Sequence, residues 1–238
     1  MQNIVIKTLL FAFLLSTCLV SADTNTGSVT DIDENVYKTV KIGNQVWTVE
    51  NLRTTKYNDG SAIPLITDDT AWYKLTTPGY CWYDNDIKNK SKYGALYNWF
   101  AVDIKKLAPK GWHVPSDAEW DTLQNYLIAN GYNWDGTTTQ NRIAKTMTAQ
   151  TDWQTHTTLG APGNDLSKNN KSGFSALPSG CRYDSGIFDF VGEGGHWWSA
   201  TEFDVSSAYG HSLYYDYVLL SRFNIRKSCG FSVRLLGD

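Results

Sequence analysis

The sequence predicts an exported α+β domain with one core, and three observations predict it. Residues 1–22 have the layout of an export signal, two β-rich runs flank a Gly-Asn turn, and residues 117–130 carry a capped amphipathic helix. The 238 residues are 42% hydrophobic, enough for one sizeable core, and the 10 Trp and 14 Tyr argue against disorder. Twenty-one basic against 24 acidic side chains leave a formal charge of -3, which gives no drive toward nucleic acid or an anionic membrane.

Each element follows from local chemistry. Lys7 precedes the apolar run 8–20, and Val20, Ser21 and Ala22 supply the small residues of a signal-peptidase site, so cleavage is expected after Ala22. The alternative is a lipoprotein box over residues 15–18, in which Cys18 would be lipidated. Thr17 fits that box poorly, because Gly, Ala or Ser normally precedes the cysteine. The run falls short of the roughly 20 apolar residues that span a bilayer, so no transmembrane segment is expected. Residues 23–33 are short, polar and acidic, the composition of a linker or an ordering arm, and the domain is placed at 34–238.

Val36–Ile42 and residues 45–49 are β-rich, and Gly43-Asn44 between them tolerates the positive φ of a tight hairpin turn. Residues 79–84 read as a short strand running into a polar loop, and 94–102 (GALYNWFAV) as a short buried helix. Ser116 and Glu119 match the capping box of a helix over 117–130. Trp120, Leu123 and Leu127 form its apolar stripe, and Gly131 stops it. Residues 131–172 are polar and turn-rich apart from a short helix around 141–148. Short β-rich segments follow at 174–177, 187–191, 196–201, 212–217 and 231–235.

Seven blocks of the sequence then carry a resemblance: YKTVKIGNQVWTVENLRTTK at 37–56, YCWYDND at 80–86, YGALYNWFAV at 93–102, GWHVPSDAEW at 111–120, SGFSALP at 172–178, WWSATE at 197–202 and GFSVR at 230–234. In this order they resemble the Fibrobacter succinogenes major paralogous domain. The resemblance implies an extracytoplasmic domain with an α+β, C-type lectin-like fold, similar also to formylglycine-generating enzymes, with two main helices, small antiparallel sheets and long loops. It carries no general activity. Many members have cysteine where this chain has Ala108 and Leu235, and the joint absence of both suggests a replacement disulfide between Cys181 and Cys229.

No catalytic residues are expected. The mature cysteines Cys81, Cys181 and Cys229 are far apart in sequence, without the reactive pair of the formylglycine-generating enzymes. The histidines His113, His156, His196 and His211 lack metal-binding spacing, and no nucleophile elbow, phosphate loop or dinucleotide fingerprint occurs. Calcium is the one cofactor considered, on Asp84 and Asp86 around Asn85, with Asn164-Asp165 a weaker cluster; Asx turns explain the same residues. The lectin sugar signatures Glu-Pro-Asn, Gln-Pro-Asp and Trp-Asn-Asp are missing.

Aromatics are the remaining lead. Trp197 and Trp198 beside Glu202, or Trp82 and Tyr83 beside Asp84, would offer a flat face with a polar handle to a sugar ring, although strand alternation would send one residue of each pair to the core. The expected function is therefore an exported binding module that presents the loops 131–171 and 203–210 to a glycan or a cell-surface protein. The alternative is a structural or protein-interaction component of the envelope without a small ligand.

Overall fold

A computed structural model describes residues 27–238 of the protein. The export segment, its cleavage after Ala22 and the alternative lipidation at Cys18 lie outside the described residues. From residue 27 the chain runs through β1 (Ser28–Thr30), β2 (Val36–Ile42), β3 (Gln45–Thr48), α1 (Asp69–Tyr73), β4 (Tyr80–Cys81), α2 (Lys90–Tyr93), β5 (Leu96–Tyr97), α3 (Trp99–Asp103) and β6 (Trp112–His113). The second half adds α4 (Asp117–Ala129), α5 (Ala144–Met147), β7 (Ser179–Arg182), β8 (Phe188–Val191), β9 (Gly194–Glu202), β10 (Ser207–Tyr214), β11 (Ser221–Arg226) and β12 (Leu236–Gly237).

These strands overturn the expected fold class. Among the described residues only α4 is longer than five residues, so there is no second main helix, and the architecture is mostly β rather than C-type lectin-like α+β. The segment 94–102 shows why. Leu96 and Tyr97 pair with β4, and Asn98 then accepts from the Ala101 amide to start a helix of only five residues.

One sheet has the order β1-β2-β3-β12-β6 and the other β11-β10-β9-β7-β8, with β4-β5 as a separate pair. The β2–β3 hairpin turns as expected on Gly43, at φ 63°. The C-terminal strand β12 enters beside it, Leu236 pairing with Trp47 on one side and His113 on the other. Residues 28–33 are therefore part of the fold rather than a tether: β1 pairs with β2, and the buried Asp31 accepts from the Tyr37 hydroxyl at 2.5 Å. No helix among the described residues is long and apolar enough to cross a membrane.

The helix α4 has the expected capping box, Ser116 Oγ accepting from the Glu119 amide and Glu119 Oε2 from the Ser116 amide. Its stripe of Trp120, Leu123 and Leu127 is fully buried. There Trp120 packs against Trp47 at 4.9 Å and Phe174 at 5.9 Å between ring centroids. This core and a second one around Tyr37, Tyr97, Trp198 and Phe231 lie on either side of β9, the middle strand of the second sheet.

A polar knot ties the halves together. Arg234 is fully buried with no carboxylate partner; its guanidinium donates to Asn51 Oδ1, to the carbonyls of Thr48 and Phe174, and to that of Ser175. Burial pushes its pKa down to about 9, so it still carries charge at neutral pH, held by neutral dipoles and by the face of Phe174.

Candidate functional site

The expected platform residues are not at the surface. Trp197 and Trp198 are each 0% exposed and Trp82 only 3% exposed, which corrects their assignment as ligand-stacking residues. Alternation along β9 does send the neighbouring tryptophans to opposite faces, but both faces are covered, Trp197 by one core and Trp198 by the other. Their indole N–H groups are also used internally. Trp197 donates to Asn51 Oδ1 and Trp198 to the Tyr97 carbonyl.

The polar partners fare no better. Glu202 is exposed at the end of β9 and is taken by the Lys227 ammonium, away from either indole face. Asp84 and Asp86 are exposed. Asp86 accepts from the Lys88 amide in an Asx turn, and Asp84 and Asn85 sit in the left-handed region at φ 53° and 55°. Among the described residues no three His, Cys, Asp or Glu side chains are placed to hold a metal ion. Cys181 and Cys229 are both free, buried thiols in the same core, not a disulfide. Of the loops expected to vary, 207–210 belongs to β10, leaving 203–206 as the tip of the β9–β10 hairpin.

What the fold does bring together is an aromatic cleft of about 480 Å³ lined by Phe190, Glu193, Tyr214, Tyr215, Asp216, Tyr217 and Ser221. Tyr214 ends β10, and the loop that follows supplies Tyr215, Asp216 and Tyr217. Strand β8 supplies Phe190 and the β8–β9 turn supplies Glu193. One backbone hydrogen bond ties the two segments together, the Tyr215 amide donating to the Glu193 carbonyl at 2.8 Å, while the Glu193 amide closes its own turn on the Phe190 carbonyl at 3.0 Å.

Phe190 holds φ 65°, a conformation uncommon for a bulky aromatic residue and costly to keep. The register of β7 with β8 places it opposite Gly180, where an added Cβ would lie 2.5 Å from the Asp189 carbonyl oxygen. The bent strand turns the Phe190 ring onto Tyr214, edge to face with centroids 5.6 Å apart, and Tyr214 in turn lies 6.1 Å from Tyr217. Tyr217 is 56% exposed, so this row of rings runs from the core out to solvent.

Behind the cleft sits His196. It is 3% exposed, packed against Phe190, Phe223 and Phe231, with its Nε2 3.0 Å from the Tyr214 hydroxyl. Desolvation pushes its pKa down to about 4, so at neutral pH it is uncharged and fixes Tyr214 by a hydrogen bond rather than by charge. The result is a rigid apolar face with two carboxylates, Glu193 and Asp216, at its edges.

Sequence reasoning missed this cleft. The run Tyr214-Tyr215-Asp216-Tyr217 was legible as strand-like composition, but nothing local shows that it leaves the sheet after Tyr214 or that Phe190 meets it.

Comparison with known proteins places the whole cleft inside a recognised unit. A family model described as the Fibrobacter succinogenes major domain matches residues 40–236, from the middle of β2 into β12. No curated protein and no solved structure matches the chain. With the match covering the cleft, the whole second sheet and the first sheet apart from β1, the start of β2 and the end of β12, the chain belongs to the Fibrobacter succinogenes major domain family.

Proposed function

We propose that this domain is an exported, non-catalytic binding module that takes a sugar in the aromatic cleft. The row Phe190, Tyr214 and Tyr217 with Glu193 and Asp216 beside it carries the reading. Aromatic faces stack on the C–H faces of sugar rings, and carboxylates accept hydrogen bonds from ring hydroxyls. Support for a non-catalytic role comes from the thiols. Cys81, Cys181 and Cys229 are buried and their pKa values are raised by desolvation, those of Cys81 and Cys229 to about 12, which withholds the nucleophilic thiolate.

The test is a glycan array and insoluble-polysaccharide pull-down with the purified protein and its Tyr217→Ala and Asp216→Asn variants. Saturable binding that both substitutions weaken supports the reading. Release of shorter sugars from a bound glycan would overturn the non-catalytic part of it.

One observation favours the alternative role in protein interaction. Tyr73, 63% exposed, and Val205, 91% exposed, line one cavity of about 400 Å³ together with Phe100 and Arg226. Exposed apolar side chains grouped around a concavity are the surface a protein partner covers.

A further inference from the structure

The loop 156–164 borders a second cavity, of about 470 Å³, whose lining includes Asn133, Trp134, Lys145, Leu159, Lys168 and Lys171. Three lysines and no carboxylate contribute to its wall. The nearby acids are already engaged: Asp165 pairs with Lys168 at 2.9 Å, and Asp135 pairs with Arg142.

Lys145 is the unusual member. It is 6% exposed, and its ammonium donates to the carbonyls of Ala161, Asn164 and Asp165 and to Asn169 Oδ1, with no carboxylate in reach of a salt bridge. A cation satisfied only by neutral dipoles keeps its net charge, and in a partly desolvated cavity that charge is weakly screened. Lys171 donates to the Gly131 carbonyl and lies over the Tyr132 ring, which holds its ammonium at the wall.

Trp134 supplies a flat face in the same cavity. A Cβ built on Gly160 would meet three atoms of its five-membered ring at 2.2 to 2.3 Å, so the indole lies face-on against the glycine backbone at a position of φ +79°. It nevertheless stays 39% exposed. The loop that carries it is fixed by the buried Asn133, whose amide donates to the carbonyls of Thr137, Thr139 and Gln140 while its oxygen accepts from the Arg142 amide. A ligand meeting this wall finds it already ordered, which removes much of the entropic cost of binding.

We infer that this cavity is a second binding site, for an anionic saccharide whose ring stacks on Trp134 and whose carboxylate or sulfate is taken by the exposed Lys168 and Lys171, with the charge of the buried Lys145 behind them. The site stands on its own residues and does not require the aromatic cleft to bind. The two sites are nonetheless adjacent, because the Gly163 amide donates to the Tyr215 carbonyl and fixes the shared loop to the rim of the cleft.

Titration of the purified protein with hexagalacturonate, a κ-carrageenan hexasaccharide, cellohexaose and inorganic polyphosphate, followed by calorimetry, tests the inference. The expected result is saturable binding of one charged hexasaccharide, the first if the group is a carboxylate and the second if it is a sulfate. Affinity should drop about tenfold or more in Trp134→Ala and in the surface double variant Lys168→Gln/Lys171→Gln, and stay unchanged in Tyr217→Ala. The double variant alters only exposed side chains, so its fold, checked by circular dichroism, is expected to persist. Absence of binding to both charged hexasaccharides, or polyphosphate binding as tight as theirs with no loss in Trp134→Ala, would overturn it.

Discussion

The indole N–H of Trp197 donates to Oδ1 of Asn51 at 2.9 Å. The same oxygen accepts from Nε of Arg234 at 2.7 Å, while the Asn51 amide nitrogen reaches the Tyr93 carbonyl and Ser232 Oγ. One buried amide thus joins four parts of the chain that lie far apart in sequence.

Replacing that amide should cost more than the bonds it makes. Asn51→Leu leaves the Trp197 N–H unpaired and removes one acceptor from a buried guanidinium, a loss of about 3–5 kcal/mol. Urea unfolding is the measurement. A change below about 1 kcal/mol would show that the knot is not a principal tie of the fold.

The pH dependence of stability should report His196. Its pKa falls from 6.5 to about 4 on folding, so the unfolded chain binds a proton first as pH drops. Stability is then complete above pH about 6.5, declines between 6.5 and 4, and loses about 3 kcal/mol from this group across that window. His211, lowered in the same direction by burial, adds to the slope. Chemical denaturation at stepped pH is expected to show a shallower decline in His196→Gln; an unchanged slope would contradict the assignment.

The thiols offer a test of the corrected disulfide. Cys81, Cys181 and Cys229 should resist iodoacetamide in the native protein and all react after unfolding without reductant. Mass spectrometry showing Cys181 and Cys229 unmodified until a reductant is added would restore the bridge.

Much of the framework was legible in the sequence because its signals are local. The turn at Gly43 and the capping box of Ser116 and Glu119 each need only a few adjacent residues, and both are in place. What failed depends on how distant segments meet. Trp197 and Trp198 read as a half-buried strand pair because alternation says nothing about whether the second face is covered as well. The segment 94–102 carries helix-like spacing, yet strand pairing of Leu96 and Tyr97 outcompetes it. The two-helix α+β fold fell for the same reason: short strands that close sheets, such as β7, β11 and β12, owe their existence to partners rather than to composition. The aromatic cleft joins Phe190 and Glu193 to Tyr214 and Tyr217 across the β8–β10 region, and the positive φ of Phe190 has no signature in its residue type.

Buried and exposed aromatic side chains respond differently to removal. Trp198→Ala deletes a fully buried side chain and should destabilise the domain by about 3–5 kcal/mol, so any binding lost with it would report unfolding. Tyr217, more than half exposed, can be removed with little effect on stability.

The most direct measurement is the affinity of Tyr217→Ala, relative to the unaltered protein, for an uncharged glycan that the protein binds and whose binding survives Trp134→Ala, with thermal unfolding of both proteins in the same buffer. About a tenfold or greater loss of affinity with an unchanged melting temperature is expected. Unaltered affinity in Tyr217→Ala, or no glycan bound by the parent protein at all, would contradict it.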